Sequence, residues 1–371
     1  MSQRTDVDPF ADPAPPELAP VRPGEDLDWP RIATFLRESL RDRLPGDTYE
    51  ADGEFEVLQF PNGSANLTYL LRFGPSELVL RRPPFGDLAP GAHDMKREYR
   101  VLSRLWRIFD AAPRAYLFCD DAGIGGADFF VMERRRGEVV RGVIPGPMRR
   151  HRDVGHRIGM ALVDRIAEFH TLDPDAVDLG ELGRPEGFVA RQLSGWKQRW
   201  DLVADERYDH HMSAIHARLE SSRPEAQRVS LVHNDLKLDN CLFDPDDPDR
   251  VTAFFDWDMT TLGDPLIDVG TLLNYWPDPG DTEAENRFSH SGMERMGLPS
   301  RAALRERYAD RSGLDLSTIG WYEAFALWKS GTVVQQLHHR WKVGDSADPR
   351  METVADALPR LIRNALQLLD S

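Results

Sequence analysis

Apolar positions along the chain alternate between a helical and a strand period, and the changes of period mark its elements. In Asp28-Trp29-Pro30-Arg31-Ile32 the aspartate is the expected N-cap and the proline falls in the first turn; Ile32, Phe35, Leu36 and Leu40 then recur at helical spacing. Pro45-Gly46-Asp47 ends that helix. Three strand-like runs follow, at 54–60, 67–73 and 77–82, the last two joined by Gly74-Pro75-Ser76, and together they read as a β-meander. After a proline-rich loop at 83–91, a helix is expected over 93–109 with Tyr99, Leu102, Leu105 and Trp106 on one side. Short apolar runs at 115–119 and 129–132 complete a unit of five strands and one helix. Past Gly137 the period is helical: Val154, Ile158, Ala161, Leu162, Ile166 and Phe169 form one stripe, and Phe188, Leu193, Trp196 and Trp200 another. Two strand-like runs interrupt this half, 240–243 and 251–255, with Asp244 to Asp249 between them as a hairpin loop. Residues 1–26, rich in Pro, Asp and Ala and without apolar period, are expected to stay extended or to lie as an arm over the surface.

The chain has 371 residues, enough for two domains or one enzyme in two lobes. No apolar run approaches the roughly 18 residues of a membrane span, so no membrane partner is expected. The N-terminus has no charged-then-apolar leader pattern, which points to the cytoplasm. With 62 acidic against 46 basic side chains the formal charge is -16, which repels nucleic acid and excludes it as a partner. An anionic ligand must then be met locally, by backbone N–H groups, a bound cation or a few placed Arg and Lys. Cys119 and Cys241 sit in apolar stretches and read as buried free thiols. The composition does not bear on oligomeric state.

Polar groups crowd between apolar runs in Leu231-Val232-His233-Asn234-Asp235-Leu236-Lys237-Leu238-Asp239-Asn240 and again in Phe254-Phe255-Asp256-Trp257-Asp258. A carboxylate, a carboxamide five residues on and a carboxylate after an apolar strand is the order phosphoryl transfer needs: one Asp accepts the proton of the attacking hydroxyl, while Asn and the second Asp hold Mg²⁺. The spacing from Asp235 to Asn240 equals that of the kinase catalytic loop H-R-D-L-x-x-x-N, with Asp256 in the place of the D-F-G aspartate.

With these go Phe60-Pro61-Asn62-Gly63-Ser64-Ala65-Asn66-Leu67-Thr68, Leu78 to Pro84, Arg97-Glu98-Tyr99-Arg100-Val101-Leu102, Phe130-Val131-Met132-Glu133 and Gly263-Asp264-Pro265-Leu266-Ile267-Asp268. In this order, from about Phe60 to Ala347, the motifs resemble the aminoglycoside-phosphotransferase-type family of small-molecule kinases, and most closely its branch similar to kinase domains fused to acyl-CoA dehydrogenases. The resemblance implies an α+β, protein-kinase-like two-lobed fold: an arm over 1–26, an antiparallel-sheet nucleotide lobe over 27–134 and a mostly helical catalytic and substrate lobe over 135–371. It implies Asp235 as catalytic base, His233 as an orienting residue, Asn240 and Asp256 as Mg²⁺ ligands and Asp258 as an outer metal contact. Asn62, Gly63 and Ser64 would cover the phosphates of ATP or GTP, and Met132 and Glu133 would form the hinge that meets adenine. Arg81 stands where a protein kinase has its phosphate-binding Lys, with Glu98 as ion-pair partner; since adjacent strand residues face opposite ways, Arg82 cannot share that role. Asn234 stands where many relatives carry Gly. The expected reaction moves the γ-phosphoryl group to a hydroxyl of a small molecule, an aminoglycoside, a hydroxyacyl compound or another metabolite. A nucleotide-binding pseudoenzyme is the alternative, and the lack of an A-P-E segment argues against a protein kinase.

Plainer roles compete at several positions. His233 also fits a structural histidine bonded to backbone, and Asp258 a solvated or capping carboxylate. Asp268 reads as an N-cap or as a brace of the catalytic loop, and Asp264 as a turn residue. Arg134-Arg135-Arg136 and Arg149-Arg150-His151-Arg152 read as solvated faces, the second starting a helix near the substrate cleft. His170 reads as a packed inter-helix residue, His338 and His339 as helix surface or pocket wall, and Trp196 and Trp200 as core aromatics.

Overall fold

The computed structural model describes residues 17–44, 49–61, 66–86, 94–279, 281, 288–346 and 348–370. The turn expected at 45–47 and the loops at 62–65 and 87–91 lie outside the described residues, as does most of the arm. The first helix, α1 (Trp29–Ser39), begins where the Asp28 carboxylate accepts the Arg31 N–H at 3.1 Å, with Pro30 in its first turn. Five strands follow in one antiparallel sheet of order β1-β2-β3-β5-β4: β1 (Phe55–Gln59), β2 (Leu67–Phe73), β3 (Ser76–Arg82), β4 (Ala115–Cys119) and β5 (Phe129–Glu133). Two residues, Gly74 and Pro75, join β2 to β3, and Gly74 takes φ 56°, a conformation glycine adopts without a Cβ clash.

Strand alternation gives this sheet two cores. Leu78, Leu80, Leu117, Phe129 and Val131 pack on the side of α1, with Ile32 and Leu36. Val79, Phe130 and Met132 face the other way, onto Val101, Leu102 and Leu105 of α2 (Met95–Leu105). That helix is shorter than its expected span because Asp94 caps it, accepting the Arg97 N–H at 2.9 Å. A one-turn helix, α3 (Ala122–Gly125), sits between β4 and β5. Along β1, Ala19 exchanges two backbone hydrogen bonds with Gln59 (2.9 and 2.8 Å), so the described part of the arm extends the sheet edge.

The inner core continues from Val79 and Leu102 through Phe169, Trp200, Trp257 and Trp328 to Ala365. It unites the sheet with α4 (Val154–Thr171), α5 (Phe188–Asp201), α6 (Glu206–Ser221), α7 (Leu266–Asn274), α8 (Arg301–Ser312) and α9 (Ile319–Lys342); past the short α10 (Arg350–Thr353), which buries no residue, α11 (Leu358–Asp370) joins the same core. Cys119 and Cys241 are buried free thiols within these cores. Two small antiparallel pairs interrupt the helices. β6 (Ser230–Val232) with β9 (Thr261–Gly263) is absent from the sequence pattern, and β7 (Cys241–Asp244) pairs with β8 (Asp247–Phe254). The β7–β8 turn is tighter than the expected loop: Asp244 pairs with Asp247, and its carboxylate accepts the Asp246 N–H at 2.9 Å. Seams join the two halves: the Phe254 N–H donates to the Ala111 carbonyl at 2.8 Å, and Arg97 Nε donates to the Thr260 carbonyl at 2.8 Å.

Within the two arginine clusters Arg136, Arg150 and Arg152 are exposed, as a solvated face requires, while Arg134 and Arg135 are largely covered. Arg134 stacks on Phe60 with its guanidinium 5.1 Å from the ring centre and pairs with Glu17 at 2.5 Å. Arg150 pairs with Asp246, and the His151 ring meets the Pro245 carbonyl at 3.1 Å, so these two residues of the second cluster meet the β7–β8 turn. Among the described residues no helix is long and apolar enough to cross a membrane.

The approach of α7 to α9 is close enough to exclude a side chain. A Cβ on Gly270 would lie 2.6 Å from the carbonyl carbon and oxygen of Tyr322. Gly270→Ala is therefore expected to lower stability by about 1–3 kcal/mol through overpacking, seen as a lower urea midpoint. An unchanged midpoint would show that the two backbones do not meet there.

Candidate active site

The β6–β9 pair places the two polar stretches side by side, one leaving β6 and the other entering β9. Asn234 and Asp256 both take left-handed backbone angles, φ 67° and 69°. Such turns are costly for residues other than glycine, although Asn and Asp tolerate them best. Asp268, on α7, offsets that cost at Asn234. It is fully buried, and its two carboxylate oxygens accept the N–H groups of His233 and Asn234, each at 2.6 Å. His170 Nε2 lies 3.1 Å from Asp268, and its Nδ1 lies 2.7 Å from the Tyr308 hydroxyl. Burial would raise the Asp268 carboxyl, yet the hydrogen bond and charge of His170 and the His233 N–H hold it below the usual carboxylate range. Asp268 is thus the brace and not an N-cap, the capping position being Pro265. Asp264 is more than a turn residue, since it accepts both the Leu266 N–H at 3.0 Å and the Tyr322 hydroxyl at 2.5 Å.

His233 is fully buried, its Nε2 lies 2.8 Å from the Phe255 carbonyl, and its ring packs on Trp257. It therefore ties the two polar stretches together through backbone. The Asp235 N–H meets His233 Nδ1 at 3.3 Å. Asp235 keeps 22% of its side-chain surface exposed, and its carboxylate has two neighbours: Asn240 Nδ2 donates to it at 3.1 Å, and Lys237 Nζ lies at 3.2 Å. Asn240 Nδ2 also donates to the Asp235 carbonyl at 2.9 Å. Lys237 and Lys329 were both missed in the sequence. The first was legible as the basic residue two positions after Asp235. The second, on α9, donates to the Asn234 carbonyl at 2.7 Å and carries no local signal.

The other half of the site centres on Arg81. Its Nε is 3.0 Å from Glu98 Oε2 on α2, and its Nη2 bonds Asp256 Oδ1. Burial works against the charge, but Glu98, Asp256 and Asp258 around it hold the guanidinium firmly protonated. Burial likewise keeps the Glu98 carboxyl above the usual range even with Arg81 beside it. Arg82 points away, its guanidinium over the Phe85 ring and bonded to the Gly125 carbonyl at 3.2 Å. Asp258 is not a solvated carboxylate: burial and the neighbouring Asp256 charge push it up to about 6. Met132 packs its side chain into the inner core, while Glu133 accepts the Arg114 N–H at 3.2 Å and pairs with Arg135 at 3.1 Å. Asn62, Gly63 and Ser64 lie outside the described residues.

The oxygens present fit Mg²⁺. Asn240 commits its amide nitrogen to Asp235, which leaves its carbonyl oxygen as the ligand atom, and Asp256 and Asp258 add carboxylates, all hard donors. Burial and the neighbouring Asp256 charge raise the Asp258 carboxyl even with Arg81 close by. Among the described residues no three acidic, His or Cys side chains form a metal cage of their own.

A sheet lobe carrying an Arg–Glu pair, set on a helical lobe carrying this Asp–Asn–Asp order, defines the class: a protein-kinase-like phosphotransferase fold. A sequence model of the phosphotransferase enzyme family, abbreviated APH, matches residues 56–307, and the chain belongs to that family. Acyl-CoA dehydrogenase family member 11 of Rattus norvegicus is 31% identical over 337 residues, 90% of this chain and 42% of the rat protein. The chain thus spans less than half the length of that relative. A Ralstonia eutropha protein assigned to the aminoglycoside phosphotransferases has a TM-score of 0.75 at 25% identity, covering 90% of this chain and 97% of its own. The aminoglycoside phosphotransferase APH(4)-Ia, solved with AMP-PNP and hygromycin B, has a TM-score of 0.55 at 16% identity over 90% of this chain and 98% of its own, which shows shared fold.

Proposed function

We propose that the protein transfers the γ-phosphoryl group of ATP, or of GTP, to a hydroxyl of a small molecule, with Asp235 as base. One observation carries the reading: a part-exposed Asp235 carboxylate, oriented by Asn240 and Lys237, stands in one site with Asp256, Arg81 and Glu98. That is where a hydroxyl must lose its proton and where a triphosphate must be held. Asp235 takes the proton as the oxygen attacks, Lys237 holds the carboxylate in place, and His233 fixes the loop. Arg81, anchored by Glu98, offers its fork to phosphate oxygens. Mg²⁺, held by Asn240 and Asp256 with Asp258 behind, would draw charge off the phosphates.

An acceptor with a carboxylate or acyl group is the preferred class over a polycation such as an aminoglycoside. Asp239, the next carboxylate along, is held below the usual range against burial by the His290 hydrogen bond and by Lys237, so it stays ionised. The acyl-CoA dehydrogenase relatives support the same acceptor class.

Asp256→Ala is expected to weaken Mg²⁺-dependent nucleotide binding by at least about 10-fold, because one metal ligand and the partner of Arg81 are lost together. Calorimetric titration with ATP, with and without Mg²⁺, reads this. Equal Mg·ATP affinity in variant and wild type would remove Asp256 from the metal site.

A further inference from the structure

We propose that Lys329 is a positioning residue for phosphoryl transfer, fixing the peptide that carries Asp235; this rests on the reading of Asp235 as base. Asn234 sits at φ 67°, a backbone state that persists only where surroundings over-determine it. Three contacts do so. Asp268 takes the Asn234 N–H at 2.6 Å, the Met259 carbonyl takes its side-chain amide at 2.9 Å, and Lys329 Nζ donates to its carbonyl at 2.7 Å. The first two hold the near side of the residue. Lys329 grips the far side, the carbonyl of the Asn234–Asp235 peptide, whose N–H faces His233 Nδ1 at 3.3 Å. Without that grip the peptide keeps only its long 3.3 Å contact to His233, and the Asp235 carboxylate loses one of the restraints on its position.

The ammonium is itself prepared for this task. It lies 5.3 Å from the centre of the Trp196 ring on α5, and the Arg199 guanidinium lies 4.4 Å from the same ring. Burial lowers the Lys329 pKa, while the charges of Asp235 and Asp268 pull it up and those of Lys237 and Arg199 press it down. An ammonium is costly to withdraw from water unless hydrogen-bonded and paired. Here its partners belong to the loop that it holds, so α9 reports its position directly to the base.

The test follows ADP release from Mg·ATP, with water as acceptor, in the whole chain. Turnover is expressed per nucleotide-binding site counted by calorimetry, so that unfolded molecules do not enter. Lys329→Met is expected to lower kcat about 10- to 100-fold, as a misplaced catalytic group does, with KM for Mg·ATP within about 3-fold. Lys329→Arg, which restores a cationic donor, is expected to recover at least about a tenth of wild-type kcat. A merely structural lysine would lower the unfolding midpoint and leave kcat per site unchanged. The proposal is overturned by kcat per site within about 3-fold of wild type in Lys329→Met, or by equal impairment of the Met and Arg variants. Should Lys329→Met bind no nucleotide, Lys329→Gln takes its place under the same criteria. Asp235→Ala runs beside them. Undiminished hydrolysis there overturns the reading of the base, whereas its loss with full turnover in Lys329→Met overturns the positioning role alone.

Discussion

Asp235→Ala is expected to lower phosphoryl transfer at least about 10²-fold while Mg·ATP still binds. The separation of the two effects follows from where the carboxylate stands. Its partners are Lys237 and Asn240, both in its own loop, and about a fifth of its side-chain surface is open, 22%. Arg81, Glu98 and Asp256 form a separate set of contacts that the substitution does not touch. Asp235→Asn sharpens the test, because it keeps the shape and still accepts from Asn240 but cannot take a proton at neutral pH. Initial rates of ADP formation and calorimetric affinities on the same preparations give both readings. A variant that transfers at the wild-type rate, or one that loses nucleotide affinity as well, would remove Asp235 from the role of base.

Asp268→Ala is expected to have the largest effect on stability, about 3–5 kcal/mol, because it strips the partner from buried groups on three sides. The N–H groups of His233 and Asn234 and the ring of His170 all lose their acceptor, and an orphaned buried donor costs about 1–3 kcal/mol. The effect also has a pH signature. The Asp268 pKa lies below its ordinary value, so its contribution is fully present above the unfolded carboxylate pKa of about 3.9 and fades as pH falls through the lower, folded value. Urea unfolding of wild type and variant should therefore differ most near neutral pH and converge in acid. A gap below about 1 kcal/mol at neutral pH would show that Asp268 does not hold the loop.

The elements with a clear period were legible: α1, the sheet, α4 and α5 each repeat an apolar stripe over more than one turn or strand pair. Alternation allowed only one of Arg81 and Arg82 on the site's face, the resemblance favoured Arg81, and the inward Val79 and outward Leu80 put Arg81 on the side of α2. The β6–β9 pair was not legible, because three-residue strands are too short to show a period, and pairing between residues 230 and 263 is a tertiary event. The same limit hid Lys329, Tyr308 and Tyr322, which reach Asn234, His170 and Asp264 from distant helices. Asp268 could be narrowed only to cap or brace, since both use a carboxylate facing free N–H groups. The partners of the Arg149–Arg152 cluster were not legible, because a run of charge does not say which partners it meets; the acidic β7–β8 turn supplies those of Arg150 and His151.

Transfer of label from γ-³²P-ATP into the small-molecule fraction of a cell extract, with Mg²⁺ and the whole chain, tests the central claim most directly. Wild type should form a labelled phosphate ester that the Asp235→Ala protein does not form. Label confined to inorganic phosphate or to protein, or an equal yield of ester from the variant, would contradict it.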